Sequence, residues 1–186
     1  MDSHADKGRR VLDSRPVSPA MFAHFVLRTS QQAEMVDWYR TVLNARLAFQ
    51  NDYIAFLTYD DEHHRIAFIA APGLKKPPQE VAGLSHVAYT YRSLGELLSN
   101  YRRLKARGIL PGRVINHGMS ASMYYRDPDG NGVELQVDTF ATKAEGAAYM
   151  DSEAFEQNPI GVEFDPEKMV ADYEAGVPEA ELLRRP

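Results

Sequence analysis

The sequence predicts an α+β protein made of two β-α-β-β-β modules followed by a helical tail. Three observations predict this class. Each of two amphipathic helices follows a strand-like segment, each helix is followed by three short strand-like runs, and the order occurs twice along the chain. The repeat spacing is 62 residues (86 − 24), measured between His24 and His86. Four strands and one helix leave an apolar face open, so two modules together can close a core.

The two long helices are predicted from apolar residues at helical spacing. In residues 31–43 these are Ala33, Val36, Tyr39, Val42 and Leu43, and in residues 94–105 they are Leu94, Leu97, Leu98, Tyr101 and Leu104. Gly108 follows the second helix and provides its C-terminal stop. Each helix therefore presents one apolar side to a core.

The strands are predicted from short runs of alternating apolar residues. In the first module they cover residues 21–27, 46–50, 53–59 and 65–71, and in the second they cover 83–89, 112–116, 122–126 and 132–137. The last two runs are joined by Asp-Pro-Asp-Gly-Asn at residues 127–131, which is a strong turn signal. A proline-rich stretch, residues 72–79, links the modules.

These elements divide the chain into three parts. Residues 20–140 form the paired-module domain, with modules at 20–71 and 83–138. Residues 1–19 are rich in Arg, Asp and Ser without an apolar segment, and we expect a disordered lead. Residues 141–186 form a tail with short helices at 141–150 and 167–175, the second begun by Asp165 and Pro166. The tail caps the site, covers a sheet edge or forms a dimer contact, and the sequence does not choose among these roles.

Composition excludes several classes of function. The chain has 186 residues, no cysteine and a net charge of −5, with 21 basic against 26 acidic residues. The lack of cysteine removes disulfides, zinc–thiolate sites and thiol nucleophiles. The acidic balance argues against a nucleic-acid surface, and no apolar run is long enough to cross a bilayer. We expect a cytoplasmic protein that binds neither nucleic acid nor membrane.

Three polar residues in the predicted strands, His24, His86 and Glu134, indicate a metal site. Each stands in a largely apolar run, and because strand residues alternate between faces, each polar side chain is expected to point inward. A buried carboxylate without a partner costs several kcal/mol, and a divalent metal between the three would satisfy them together. Two imidazoles and one carboxylate form a facial triad typical of non-haem Fe(II), although Mn(II), Zn(II) or Ni(II) also fits this ligand set.

The site is predicted to have open coordination positions. The strand of the first module that corresponds to the Glu134 strand, residues 65–71, contains no Asp, Glu or Gln, so it offers no fourth ligand. His63 and His64 precede that strand and are predicted to form a solvated turn pair. An open metal suits a chelating substrate and a second small molecule such as O₂.

The paired modules, the two histidines and two further segments resemble the vicinal oxygen chelate superfamily, which includes glyoxalases, bleomycin resistance proteins and extradiol dioxygenases. The segments are Asn-His-Gly at residues 116–118 and Tyr-Tyr-Arg-Asp-Pro-Asp-Gly-Asn-Gly-Val-Glu-Leu at 124–135. The resemblance covers about residues 20–140. It is strongest to small one-domain type I extradiol dioxygenases of the catechol and biphenyl-2,3-diol kind. It implies that the modules form an incomplete barrel around the metal.

The same resemblance implies an activity and roles for two more residues. The enzyme would cleave the ring of an aromatic diol with O₂, using Fe(II) held by His24, His86 and Glu134. His117 would be the catalytic base, and Tyr124 would bind a substrate oxygen. A further pocket histidine found in several members has no counterpart here, and larger members carry two module pairs where this chain has one. A homodimer or higher homo-oligomer is expected because paired sheets leave edges to cover.

Three alternatives stay open on this scaffold. A glyoxalase-like lyase or isomerase with Zn(II) or Ni(II) generally needs a further carboxylate or amide ligand, which residues 65–71 do not supply. A fosfomycin-type thiol transferase shares the two-histidine, one-glutamate set, typically in a shorter chain. A non-catalytic binding protein needs no metal triad.

Overall fold

The first module has the predicted β-α-β-β-β order. In a computed structural model, which describes residues 15–78 and 80–185, it comprises β1 (Phe25–Thr29), α1 (Gln32–Leu43), β2 (Arg46–Gln50), β3 (Ile54–Thr58) and β4 (Ile66–Ala70). These strands form the first sheet, in the order β1-β4-β3-β2, with β1 parallel to β4. Residues 1–14 of the predicted lead lie outside the described residues.

The second module repeats this arrangement. It comprises β5 (His86–Tyr91), α2 (Leu94–Lys105), β6 (Arg113–Asn116), β7 (Ser120–Arg126) and β8 (Gly132–Asp138). The second sheet has the order β5-β8-β7-β6-β9, with β5 parallel to β8. Both long helices therefore lie where the apolar spacing predicts them. The predicted α+β class with two β-α-β-β-β modules is confirmed, and each module has an open, not a closed, sheet.

The tail contributes four short helices and the outermost strand of the second sheet. Its elements are α3 (Lys143–Tyr149), α4 (Glu153–Gln157), β9 (Val162–Glu163), α5 (Pro166–Glu174) and α6 (Glu179–Leu182). A capping box formed by Thr142 and Glu145 begins α3, and Asp165 caps α5. Strand β9 pairs antiparallel with β6, so the tail covers a sheet edge, one of its three predicted roles. The helices α3 and α5 match predicted segments, whereas α4, β9 and α6 are additional.

The core lies between the two helices and the inner faces of the two sheets. Helix α1 packs on β3 and β4, α2 packs on β5 and β8, and the two helices touch each other. Its largest fully buried side chains include Tyr39, Phe68, Met35, Leu57, Leu97, Leu104, Met123 and Leu135. Burying each of these apolar side chains contributes roughly 1.5–3 kcal/mol.

The modules are joined through the helix side of each sheet. The Tyr39 hydroxyl on α1 donates to the Asp127 carboxylate at 3.1 Å. On α2, Arg103 donates to the Thr41 carbonyl at 2.6 Å and Asn100 donates to the Val42 carbonyl at 3.2 Å. In consequence, the face of each sheet that lies away from the helices, here called its open face, is turned away from the core.

The structure corrects the predicted position of the two histidines. His24 lies one residue before β1 and His86 is the first residue of β5, so neither is mid-strand. The predicted alternation does hold in β1, where Phe25 and Leu27 pack against the core and Val26 is exposed. His24 is on the exposed side of this alternation, and so it belongs to the open face and not to the core.

Within residues 15–78 and 80–185, no helix has the length and apolarity that crossing a membrane requires.

Candidate active site

His86 and Glu134 form a close pair on the open face of the second sheet. His86 Nε2 lies 2.9 Å from Glu134 Oε2, and the side chains are 37% and 7% exposed. In the parallel register of β5 and β8, Glu134 lies opposite Ala88, which follows His86 by two residues. Because side chains two residues apart on a strand share a face, His86 and Glu134 lie on the same face of the sheet. The pair is therefore set by strand register, with the carboxylate deep in the site and the imidazole at its surface.

A glycine in β8 allows His86 to approach so closely. Gly132 lies opposite His86 in the β5–β8 ladder. A Cβ atom at residue 132 would stand 2.2 Å from the Ser85 carbonyl oxygen and 2.9 Å from the His86 Cβ. Neither contact is sterically possible, so any side chain at this position would push the histidine strand away.

Tyr124 and His117 form a second pair beside the first. Tyr124 on β7 lies opposite Glu134 on β8, and its hydroxyl is 2.7 Å from His117 Nε2. His117 Nδ1 lies 2.5 Å from the Ile160 carbonyl in the tail, and because a carbonyl only accepts, Nδ1 carries the proton. The Nε2 atom is then an acceptor for the Tyr124 hydroxyl.

Burial keeps the Tyr124 phenol protonated. Loss of solvent raises the pKa of Tyr124 to about 12, and the negative charge of Glu134 adds to the rise. The phenol is thus available as a hydrogen-bond donor at neutral pH, and its acceptor in this structure is His117.

The turn between β7 and β8 is organised by Asp127, which is 4% exposed. Its carboxylate accepts from the Asn131 amide at 2.8 Å, the Asp129 amide at 3.0 Å and the Asn131 side chain at 2.8 Å, as well as from Tyr39. Burial raises the pKa of Asp127, and the hydrogen bonds from Asn131 and Tyr39 oppose that rise. This turn sets the register that places Tyr124 opposite Glu134.

A cavity of about 470 Å³ is lined by His86 from the first pair and by both members of the second, and Glu134 lies behind His86. Its lining includes His86, His117, Tyr124, Arg113, Arg126 and Ile160. This volume is in the range of small-molecule sites. A larger cavity of about 670 Å³ lies under the tail, between Gly118 and Arg185, and contains none of the predicted site residues. The smaller cavity is therefore the candidate active site, because His86, His117 and Tyr124 line it.

His24, the third predicted ligand, lies at the start of the first sheet in a different environment. Its ring lies against His64, with ring centroids 4.3 Å apart, and His64 stacks on Phe56 at 4.5 Å. His63 is exposed, as predicted, but His64 is half-buried in this ring row. Over the described parts of the chain, no three His, Asp or Glu side chains are grouped so that they could hold a metal ion.

A single chain thus brings together four of the five predicted site residues: His86, Glu134, Tyr124 and His117. It does not bring His24 to them, and the assignment of the three metal ligands stays a prediction. Sequence reasoning did not identify the Ile160 carbonyl. A backbone acceptor 43 residues from His117 leaves no side-chain signal in the sequence.

Residues 21–135 match the Glyoxalase family, the Glyoxalase/Bleomycin resistance protein/Dioxygenase superfamily. The chain belongs to this superfamily. Among curated relatives, it is 46% identical over 171 residues to biphenyl-2,3-diol 1,2-dioxygenase 3 of Rhodococcus globerulus, covering 91% of this chain and 90% of the relative. It is 47% identical over 158 residues to biphenyl-2,3-diol 1,2-dioxygenase 2 of the same organism, covering 84% and 83%.

Solved structures of the superfamily show the same fold at low sequence identity. The fosfomycin resistance protein FosX of Listeria monocytogenes matches with a TM-score of 0.53 and 18% identity, covering 69% of this chain and 99% of FosX. Lactoylglutathione lyase of Agrobacterium tumefaciens matches with a TM-score of 0.51 and 19% identity, covering 64% and 94%. These matches support the fold and say nothing of the reaction.

Proposed function

We propose that the protein is an Fe(II)-dependent extradiol dioxygenase that cleaves the ring of a catechol-type aromatic diol with O₂. The observation that carries the proposal is that His86, Tyr124 and His117 line one cavity, with Glu134 2.9 Å from His86 and opposite Tyr124 in the sheet. The two Rhodococcus relatives, named as biphenyl-2,3-diol dioxygenases and similar over most of the chain, support the same reaction class.

The donor set of the second sheet suits a divalent metal. Glu134 is a nearly buried carboxylate whose close partner is an imidazole, and a metal ion would balance its charge. His86 and Glu134 would be two ligands, and His24 is the proposed third. Fe(II) held by these residues would lower the pKa of a diol hydroxyl and would allow electrons to pass from the diol to O₂.

His117 is placed to take a proton from the substrate. Its Nε2 atom accepts a hydrogen bond from Tyr124 and can equally accept one from a diol hydroxyl in the cavity. When Nε2 is protonated, the Ile160 carbonyl continues to accept from Nδ1 and so stabilises the imidazolium. The tail therefore orients the base.

Tyr124 is placed to donate a hydrogen bond to a substrate oxygen. Its phenol stays protonated at neutral pH, and its strand register holds it opposite Glu134. When His117 accepts a hydrogen bond from the substrate instead of from Tyr124, the Tyr124 hydroxyl is free to donate to a substrate oxygen. Ile115 and Ile160 give the cavity apolar walls that suit an aromatic ring.

The structure disfavours the lyase alternative. Two residues after His24, Val26 lies opposite Ala67, just as Ala88 lies opposite Glu134 two residues after His86. Ala67 is thus the first-module counterpart of Glu134. A second carboxylate at the corresponding position, which proton-shuttling glyoxalase-like enzymes generally use, is missing.

The test is metal content and oxygen uptake of protein purified without air. We expect Fe(II)-loaded protein to consume O₂ and form a yellow ring-fission product from catechol or 2,3-dihydroxybiphenyl. Glu134→Ala should lose metal and activity, whereas Gln136→Ala, on the same face two residues later, should keep both. Full activity of Glu134→Ala, or bound Zn(II) or Ni(II) without oxygen uptake, would contradict the proposal.

The native metal, the homo-oligomeric state and the cytoplasmic location belong to this proposal as predictions.

A further inference from the structure

The larger cavity, here called the tail cavity, carries positive charge without a negative partner. The described residues that line it include Arg184 and Arg185, and none of them is acidic. Within residues 15–78 and 80–185, neither arginine forms an ion pair. Arg185 donates instead to two neutral oxygens, the Tyr149 hydroxyl and the Asn158 carbonyl, each at 2.8 Å. A guanidinium has five N–H donors, so both arginines keep donors for a ligand.

The other walls of the tail cavity are largely apolar. They include Phe140, Val162 and Leu183, and the Tyr149 ring lies against Phe140 with ring centroids 5.5 Å apart. The volume of about 670 Å³ is in the range of small-molecule sites. Because a guanidinium pairs with a carboxylate through parallel hydrogen bonds, the cavity suits a small carboxylate with a flat apolar body.

The tail cavity lies directly behind the proposed catalytic base. Gly118, which follows His117 in the chain, is part of its lining. The Tyr149 ring packs so closely on this glycine that a Cβ atom at residue 118 would stand 2.2 Å from a ring carbon. The wall that a ligand would touch is therefore continuous with the backbone that carries His117.

A chain of hydrogen bonds also joins Arg185 to the base. Arg185 holds the Asn158 carbonyl, and the Asn158 side chain and the Gly161 backbone exchange two hydrogen bonds of 2.9 Å. Ile160 immediately precedes Gly161, and its carbonyl accepts from His117 Nδ1. Residues 158–161 thus connect the guanidinium in the tail cavity to the imidazole in the candidate active site.

We propose that the tail cavity is a regulatory site for a small carboxylate with an aromatic or conjugated body. A carboxylate is a stronger acceptor than the neutral oxygens that Arg185 contacts, so it takes over these donors. Residues 158–161 then lose an anchor, the Ile160 carbonyl is displaced from His117, and turnover falls. The effect on turnover rests on the proposed dioxygenase function, whereas binding of the carboxylate does not.

The proposed reaction itself makes a ligand of this class. Extradiol cleavage breaks the bond between a hydroxylated ring carbon and its unhydroxylated neighbour. The diol is oxidised by O₂, both atoms of O₂ enter the product, and the two separated carbons become a carboxylate and a carbonyl group. The product is a conjugated carboxylate, and it is one source of the ligand. A carboxylate formed by another reaction is the other source.

The first experiment measures binding by calorimetry, with the full chain and with benzoate as the probe. Benzamide has the same shape without the charge, and we expect it to bind at least about tenfold more weakly, the cost of losing charged hydrogen bonds. Arg184→Gln should weaken benzoate binding by about tenfold for the same reason. Its side chain is exposed, so this variant should fold normally.

Arg107→Gln is the matched control for charge. Arg107 is also exposed but follows α2 and is not in the lining of the tail cavity, so benzoate should bind this variant as it binds the wild type. If benzoate does not bind the wild type, if benzamide binds equally well, or if the two arginine variants behave alike, the inference is overturned.

A second variant locates the ligand without changing any charge. Ala154 lines the tail cavity, and Ala154→Trp should narrow it and weaken benzoate binding by at least about tenfold through lost space and overpacking. Ala171→Trp is the control, because Ala171 is an exposed residue of α5 outside the lining. Unchanged benzoate binding by Ala154→Trp would overturn the assignment of the ligand to this cavity.

The connection to His117 is measured by NMR of protein with isotope-labelled histidine. His117→Gln identifies the signals of this ring. Benzoate should move the His117 Nδ1 signal, because the hydrogen bond to the Ile160 carbonyl is lost. This readout needs neither a metal nor a diol. His117 signals that stay unchanged at saturating benzoate would overturn the regulatory role.

Kinetics of the Fe(II)-loaded protein separate the two cavities. Because diol and benzoate occupy different cavities, benzoate should lower kcat by up to about tenfold and leave KM nearly unchanged. Arg113 and Arg126 line the candidate active site, so benzoate that enters there would instead raise KM at constant kcat. That competitive pattern would overturn the inference.

The isolated ring-fission product, added in place of benzoate, distinguishes the two sources. Inhibition by the product that Arg184→Gln relieves indicates product feedback. Inhibition by benzoate alone, relieved in the same way, indicates a carboxylate from another reaction. Either result supports the site.

The two proposals fail in different ways. If no diol is cleaved but benzoate binds and moves the His117 signal, the carboxylate site stands and the dioxygenase proposal is wrong. If diols are cleaved but benzoate and the ring-fission product do not bind, the dioxygenase proposal stands and the carboxylate site is wrong.

Discussion

The two modules have the same order of strands and helix but differ in the side chains on the open faces of their sheets. Each has a parallel pair of first and last strands and a 12-residue helix in the crossover. At the register position where the second module has Glu134, the first has Ala67. A single register position thus decides which module has a carboxylate at this point of its open face.

The side chains around this position are also more polar in the second module than in the first. The second module places Tyr124 and His117 next to Glu134, and the tail closes its edge through β9. The first module has aromatic rings on its open face, such as Phe49 and Phe56, and Phe49 is 48% exposed. The repeat therefore supplies a symmetric frame, and the chemistry depends on the few places where the copies depart from it.

The largest expected effect on stability concerns the contact between the modules. Asp127→Ala removes the acceptor of four hydrogen bonds in a buried turn and leaves Tyr39 without a partner. Because hydrogen bonds to charged groups contribute strongly, we expect a loss of about 3 kcal/mol in the free energy of unfolding. Urea unfolding measures it, and an unchanged midpoint would contradict the role of the turn.

The next prediction concerns Gly132, in the last strand of the second module. Gly132 lies opposite His86, where a Cβ would overlap Ser85 and His86. Gly132→Ala should displace His86 and weaken metal binding by about 10–100-fold, the usual cost of disturbing a ligand's support. Titration with Fe(II) or Mn(II) under argon measures the affinity. Gly112→Ala is the control, because a Cβ there has no atom within 4 Å.

Gly161 in the tail offers a way to test whether the Ile160 carbonyl orients His117 in the second module. Gly161 has φ +108°, and a Cβ there would lie 2.3 Å from the Asn116 carbonyl oxygen. Gly161→Ala should lift the tail and remove the Ile160 acceptor from His117, lowering kcat by about tenfold as expected for an orienting partner.

Gly176→Ala separates this effect from backbone strain. Gly176 also has a positive φ, +84°, but a Cβ there meets nothing within 4 Å. This variant should lose some stability and keep its kcat. Equal kcat values for the two variants would show that the tail does not orient His117.

The smallest expected effect is that of Tyr39→Phe, which removes only the hydroxyl that reaches Asp127. Three other donors still satisfy the carboxylate, so we expect about 1 kcal/mol less stability and an unchanged metal affinity. Thermal unfolding measures the first and metal titration the second. A loss as large as that of Asp127→Ala would mean that the bridge to α1 outweighs the turn.

Much of the fold was predictable because its signals are local. The apolar spacing placed α2 at the residues where it is found and α1 to within one residue, and the Asp-Pro-Asp-Gly-Asn turn located β7 and β8. The superfamily resemblance that rests on this turn is also confirmed. These features depend on neighbours a few residues apart, which sequence patterns record well.

What could not be predicted depends on distant or backbone contacts. Strand β9 is two residues long and forms because β6 offers a free edge. The partner of His117 is the main-chain carbonyl of Ile160, whose residue type is irrelevant. His24 shows a third limit: alternation says that it lies on the face opposite Phe25, but not which surface covers that face.

The hydrogen bond between Tyr39 and Asp127 also has a consequence for folding. It joins residues 88 positions apart, whereas the hairpin of β7 and β8 closes over a five-residue turn. Because loop closure costs more as the loop lengthens, each module can gain much of its sheet before the two dock. Docking is then a late step, and Tyr39→Phe, which removes only this hydrogen bond between the modules, should speed unfolding while leaving the refolding rate almost unchanged.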